Sequence, residues 1–195
     1  MVILFIFLIF FALIGTLIHG ISIDNITLPK VKIDQLYIKL DKKIILTIDR
    51  VAIETQKRHE SSLEESALLI SYFPYLHQLF RTITVNTLTY ADTQLSFSYD
   101  NGIFAVESDV LRAKANVTPT DTYRLDVALL ALELKDMHLS MDGNISVDLE
   151  KHHHTFKGNF ETFGIKGRAD LALVETLLSY HLESDLFTNT QLVIL

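Results

Sequence analysis

Three consecutive histidines, His152-His153-His154, are the residues whose type and spacing most directly suggest chemistry, because imidazoles are common metal ligands. On a strand, His152 and His154 point to one face and His153 to the other, so at most two could share an ion unaided. The chain has no cysteine, and no HExxH spacing or Asp-rich loop accompanies the tract. The run therefore reads as exposed polar residues at a turn or strand start, with no metal and no cofactor expected. His19 borders an apolar run, where interfacial placement explains it. His59 falls in a polar linker, and His77, four residues after Phe73, flanks helix packing. No Gly-x-Ser-x-Gly, P-loop or dinucleotide fingerprint occurs. Asp and Glu mostly alternate with apolar residues, as on the solvated side of a strand, so no two pair as acid and base and no enzyme is expected. Asn116-Val117-Thr118 and Asn144-Ile145-Ser146 match the glycosylation acceptor pattern and read as turn and strand residues.

Composition directs attention from catalysis to surfaces. Of 195 residues, 49% are hydrophobic and 21% charged, and the mean hydropathy is +0.27; this is too apolar for disorder and points to contact with lipid. The 24 acidic residues against 17 basic ones give a net charge of −7, leaving no basic surface for nucleic-acid phosphates.

The elements begin with an uncharged stretch from Val2 to Ile18, and the first fully charged side chain is Asp24. At about 1.5 Å per residue, residues 1–21 span roughly 30 Å, the thickness of a hydrocarbon core. A signal anchor is expected there. A cleaved signal peptide is the competing reading, although it lacks a basic start and small residues before a cut after Gly15 or Gly20. The remainder, 22–195, is expected to be exported.

After the anchor the hydrophobic period is two. Ile21, Ile23, Ile26, Leu28, Val31, Ile33, Leu36, Ile38 and Leu40 lead to Asp41-Lys42-Lys43, and Ile44, Leu46 and Ile48 return as a hairpin. The stretch from Thr55 to Ser62 is polar. A helix is expected over about 62–81, opened by the capping spacings Ser61-x-x-Glu64 and Ser62-x-x-Glu65. Pro74 predicts a kink or a break into two short helices near Phe73. Its stripe of Leu63, Ala67, Ile70, Phe73, Leu76, Leu79 and Phe80, edged by Tyr72 and Tyr75, is suited to packing on a sheet, covering an apolar channel or lying on a bilayer. From Thr82 onward period two resumes, punctuated by Ala91-Asp92, Asn101-Gly102, Pro119-Thr120-Asp121 and Phe163-Gly164, with a hairpin expected at Asp142-Gly143-Asn144 between Met137, Leu139, Met141 and Ile145, Val147, Leu149. Roughly ten to twelve antiparallel strands follow at this spacing. One side of the sheet is apolar throughout, which a sandwich or barrel would hide and an open groove would leave for a ligand. The apolar run Gln191-Leu192-Val193-Ile194-Leu195 suggests that the sequence continues beyond Leu195.

A membrane helix leading into Ile21-Ser22-Ile23-Asp24-Asn25-Ile26, the Leu36-to-Ile48 hairpin, a helical insertion with Pro74, and a meander containing Phe163-Gly164-Ile165-x-Gly167 resembles the AsmA-like family of Gram-negative envelope proteins, especially its YhdP and TamB branch. The resemblance implies a mainly β fold with an N-terminal transmembrane helix, a long antiparallel meander forming a curved groove, or β-taco, and one short kinked helical insertion. It also implies anchoring in the bacterial inner membrane through residues 2–18 and a periplasmic location for the bulk of the chain. Its function would be phospholipid transfer between inner and outer membrane, as the N-terminal part of a longer bridge. Candidate groove-lining residues are Leu88, Tyr90, Leu95, Phe97, Phe104, Val106, Leu111, Leu125, Val127, Leu139, Met141, Val147, Phe156 and Phe160. The alternative is a non-transporting envelope scaffold, or an outer-membrane assembly factor, recruiting protein partners through its strand edges.

Overall fold

The computed structural model describes residues 12, 14–53, 63–90, 93–186 and 190–194. Thirteen strands follow in sequence order. They are β1 (Ile21–Leu28), β2 (Val31–Asp41), β3 (Lys43–Ile53), β4 (Phe80–Tyr90), β5 (Thr93–Asp100), β6 (Ile103–Ser108), β7 (Leu111–Pro119), β8 (Arg124–Leu134), β9 (Leu139–Asp148), β10 (His153–Thr162), β11 (Ile165–Val174), β12 (Leu177–Ser184) and β13 (Thr190–Ile194). Helix α1 (Leu63–Leu79) immediately precedes β4, and a short 3-10 turn, Lys135–Met137, joins β8 to β9. The chain forms two compact units, one from residues 1–57 and 75–101 and the other from 58–74 and 102–195.

In the first unit the expected long alternation divides at Pro29-Lys30, where Lys30 adopts φ 77° and Leu28 pairs with Val31. The Asp41-to-Lys43 hairpin forms as the sequence predicts, with Lys42 at φ 58°. One expectation of this region is corrected: β3 and β4 run parallel. Their connection contains α1, and a crossover of at least a dozen residues is what lets a strand return in the same direction. A second feature is periodic. Across β1 to β4 the apolar spacing changes from two to three at a shared level, through Ile23-Asp24-Asn25-Ile26, Ile33-Asp34-Gln35-Leu36, Ile48-Asp49-Arg50-Val51 and Val85-Asn86-Thr87-Leu88. In β4 this step is a bulge against β5, and it keeps Val85 and Leu88 on the side of Phe97 and Leu95. The polar residues of the step interact across strands: Arg50 lies 3.3 Å from Asp34, and the Asn86 amide donates to Asp49 at 3.2 Å.

Helix α1 runs continuously through Pro74, so it does not break into two helices. Proline removes one backbone donor, and contacts on either side of it hold the turn. Ile70 is 4% exposed, and Phe73 packs on Phe104 with ring centroids 5.6 Å apart. Beyond Pro74, the Tyr99 hydroxyl and His77 Nδ1 are 3.0 Å apart, and Lys43 Nζ donates to the His77 carbonyl, which satisfies a terminal helix acceptor. Leu79, expected in the buried stripe, is instead 51% exposed, because it falls on the outward side with Tyr72 and Tyr75. The capping residues Ser61 and Ser62, the linker with His59, and Ala91-Asp92 lie outside the described residues.

In the second unit, β6 to β13 form successive antiparallel pairs. Phe163-Gly164 makes the expected two-residue hairpin, with φ 50° and 80°, the positive values such a turn requires. Asp142-Gly143-Asn144 does not turn, and is corrected to the middle of β9. Gly143 pairs with Gly158, and a Cβ at Gly158 would lie 2.0 Å from the Asp142 carbonyl oxygen. Glycine is therefore used for close backbone approach beside the bulge that β8 makes between Leu129 and Leu132. The actual β9–β10 turn spans residues 149–152, and Met137, expected on a strand, belongs to the 3-10 turn and is 59% exposed.

Among the described residues β1 pairs only with β2, and β13 only with β12. No helix among them is long and apolar enough to cross a membrane. Of the expected anchor, residues 1–11 and 13 lie outside the described set, and 14–19 are helical.

Candidate functional site

The strand registers of the second unit sort its side chains into two chemically opposite faces. Antiparallel partners project to the same side, so the pairings can be followed strand to strand. The first row is Leu111, Leu134, Leu139, Thr162 and Ile165; the second is Val106, Ala113, Leu132, Met141, Phe160, Gly167 and Ser184. A central row of Phe104, Ala115, Leu129, Gly143, Gly158, Ala169 and Leu182 is followed by Val117, Val127, Ile145, Phe156, Leu171 and Tyr180, then by Pro119, Leu125, Val147, His154, Leu173 and Leu178. Ten expected lining residues thus share one face: Phe104, Val106, Leu111, Leu125, Val127, Leu139, Met141, Val147, Phe156 and Phe160.

This face is open rather than enclosed. Its buried strand residues are Leu129, Phe156 and Ala169, and the others named above remain partly exposed. Near β6 the face is met by α1 through Phe73 on Phe104. Two of the expected residues cover the sheet's own backbone. The Phe156 ring occupies the space above Gly158, where a Cβ would meet it at 2.7 Å, and the Phe160 ring lies 2.6 Å from a Cβ built on Gly167. Aromatic rings over strand glycines bury area within a single layer, so Phe156 and Phe160 are structural as well as lining residues.

The reverse face is polar. Arg112 bonds Glu107 at 2.7 Å and approaches Glu133 at 3.5 Å, and the hydrogen-bonded guanidinium holds the Glu107 carboxyl below its ordinary range. Asp148 is also held low, first by the Lys151 backbone N–H and then by Arg124 at 2.8 Å. A concavity of about 720 Å³ lies here, lined by Asp142, Asn159, Glu161, Lys166, Arg168 and Glu183, and also by Phe160 and Gly167 of the other face's second row. An adjoining one of about 470 Å³ includes Lys157, Asp170 and His181. Phe160 is the one apolar side chain in the lining of the first, and the second has none.

In the first unit, the remaining expected residues occupy rows built by β3 to β5. Val51, Leu88 and Leu95 are consecutive partners, as are Ile48, Val85 and Phe97. Val51 and Val85 are buried, whereas Tyr90, at the strand end, is 53% exposed. Tyr99, 1% exposed, is a buried aromatic that alternation marks only as one more apolar position.

The histidine run is divided by the β9–β10 turn. His152 sits in the turn at φ 47°, His153 opens β10 on the polar face, and His154 lies on the apolar face with an unpartnered Nδ1. Among the described residues, no group of three or more His, Asp or Glu side chains is placed to hold a metal. Asn116 and Asn144 both lie within strands. Comparison of the chain with protein-family models, curated proteins and solved structures finds no match.

Proposed function

We propose that the chain is a membrane-anchored groove protein that carries phospholipid acyl chains, similar to the N-terminal part of an AsmA-like bridge between inner and outer membrane. In this reading residues 2–18 hold it in the bacterial inner membrane and the strands lie in the periplasm. The observation that supports it is the apolar face of the second unit, five rows deep, left open on one side and backed by a charged face. A row crossing six strands runs roughly 24 Å at about 4.8 Å per strand, enough for an extended acyl chain to lie across it. Each methylene removed from water contributes about 0.8 kcal/mol, so contact along such a row can offset much of the cost of leaving a bilayer, with the head group in solvent.

The test is native mass spectrometry of the detergent-extracted full chain. Bound phospholipid at fixed stoichiometry is expected for the native sequence. Leu125→Asp and Phe97→Asp are expected to remove it without unfolding the chain, because each residue is only partly buried. Undiminished lipid in both variants refutes a conduit, and a specific protein partner with no lipid points to scaffolding through strand edges.

A further inference from the structure

Because β6 to β13 alternate in direction, the connections β6–β7, β8–β9, β10–β11 and β12–β13 all emerge at one end of the second unit. Each presents a large apolar side chain to solvent: Val110 at 48% exposure, Met137 at 59%, Phe163 at 75% and Leu186 at 66%. At the opposite end the turn tips are Glu150-Lys151-His152 and Glu175-Thr176, and the apolar side chains exposed there, Tyr123 at 37%, Val174 at 42% and Leu177 at 37%, are less exposed than any of the four at the rim. The apolar rim is joined loop to loop. Lys135 N donates to the Val110 carbonyl at 2.9 Å, and Asp185 N to the Lys166 carbonyl at 3.2 Å. Thr162 Oγ1 donates to the Met137 carbonyl at 3.5 Å, and the His138 and Phe163 rings are 5.3 Å apart. Phe163 and His138 also hold left-handed backbone, φ 50° and 46°, a conformation unfavourable for a bulky residue. An aromatic tip kept exposed at such a position points to a use for the ring.

We infer that this rim dips into the surface of a zwitterionic lipid bilayer. The tips are separate rather than contiguous: neighbouring loops lie two strands apart, roughly 10 Å, and the row extends about 30 Å. A folded partner would need a matching pocket for each tip, whereas a fluid interface accepts isolated apolar side chains wherever they fall. Charge selects the bilayer. Among the described residues of these four connections, Asp109, Asp136 and Asp185 stand beside the tips against one lysine, Lys135, so an anionic surface is repelled and a neutral one is not. The inference rests on the lipid reading of the apolar face, for which it supplies the port of entry: Leu111, Leu139 and Ile165 begin that face directly behind the tips.

The chain has no tryptophan, so a single introduced one reports its own surroundings. The full chain carrying Phe163→Trp is reconstituted in phosphatidylcholine vesicles, and Met137→Trp serves as an independent reporter from the adjoining loop. The expected result is a blue-shifted emission, largely lost when the acyl chains are brominated, with Tyr123→Trp at the far end remaining red and unquenched. Added phosphatidylserine is expected to reduce the quenching. Red, unquenched emission from both rim reporters overturns the inference, as does a blue shift without bromine quenching, which signifies a protein seat instead. Bound lipid is counted on the same samples. Quenching without bound lipid refutes the carrier reading alone, and bound lipid without quenching refutes the rim alone.

Discussion

Gly158→Ala tests the packing of the apolar face most sharply. The added methyl would lie 2.0 Å from the Asp142 carbonyl oxygen, 2.7 Å from the Phe156 ring and 2.8 Å from Gly143 Cα. The ring can turn away, but the carbonyl belongs to the neighbouring strand and is fixed in the ladder. Relief therefore requires β9 and β10 to separate locally, disturbing the bulge that β8 makes against β9. Overpacking of this kind costs about 1–3 kcal/mol, and the rigid backbone obstacle places it at the upper end. Gly164→Ala is the control: it has open space around its Cβ and φ 80°, so it carries only the left-handed penalty of roughly 1–2 kcal/mol. Equilibrium urea unfolding of the full chain in detergent, followed by far-ultraviolet circular dichroism, is expected to lower the midpoint most for Gly158→Ala, with the slope unchanged. The Gly143→Ala/Gly158→Ala pair is expected to be non-additive, because both methyls enter one gap. Wild-type stability for Gly158→Ala, or a larger loss for Gly164→Ala, refutes the close-approach account of the β9–β10 pair.

Two further expectations concern other parts of the molecule. Asp148, held below the ordinary carboxylate range by the Lys151 N–H and by Arg124, contributes stability fully present above that range and lost as pH falls through its own lowered pKa. Thermal melts carried from neutral into acid should therefore show a shallower decline for Asp148→Asn than for the native chain, and parallel curves would contradict the assignment. Tyr99→Phe removes a buried hydroxyl bonded to His77 and is expected to cost about 1 kcal/mol, read as a lower midpoint in the same urea titration; an unchanged midpoint would show that this contact does not stabilise the end of α1.

The period-two alternation made the strands legible because one side of each strand carries apolar residues and the other polar ones. Direction was not legible. The alternation of Ile44, Leu46 and Ile48 and of Ile83 and Val85 is the same read either way, and only the length of the connection through α1 distinguishes a parallel return. Asp142-Gly143-Asn144 misled because turn propensity is local, whereas the use of Gly143 is set by Gly158 on the neighbouring strand. The recurring step at Asp24-Asn25, Asp34-Gln35, Asp49-Arg50 and Asn86-Thr87 was visible as two polar residues between apolar ones. Its meaning needed the registers, which place all four at one level. The lining residues of the second unit were legible as parity, and the registers unite that parity into one face. What parity could not reveal was that Phe156 and Phe160 lie down on Gly158 and Gly167.

That packing explains how an uncovered sheet face can coexist with an ordered fold. A sandwich stabilises its strands by placing a second apolar layer above the first. Here Leu129, Phe156 and Ala169 obtain burial within one layer from neighbours such as Ile145, Leu171 and Leu182, and cross-strand pairs supply the increments that a second layer otherwise would. Leaving the remaining apolar surface in water costs about 25 cal/mol for every Å². A face with that cost retained, backed by ion-paired polar residues and bordered by exposed apolar tips, is suited to a guest whose contacts are non-directional. Acyl chains meet that condition, because they need continuous apolar surface and no matching hydrogen-bond pattern, and the rows from Val106 to Phe160 and from Val117 to Tyr180 supply such surface without a polar interruption.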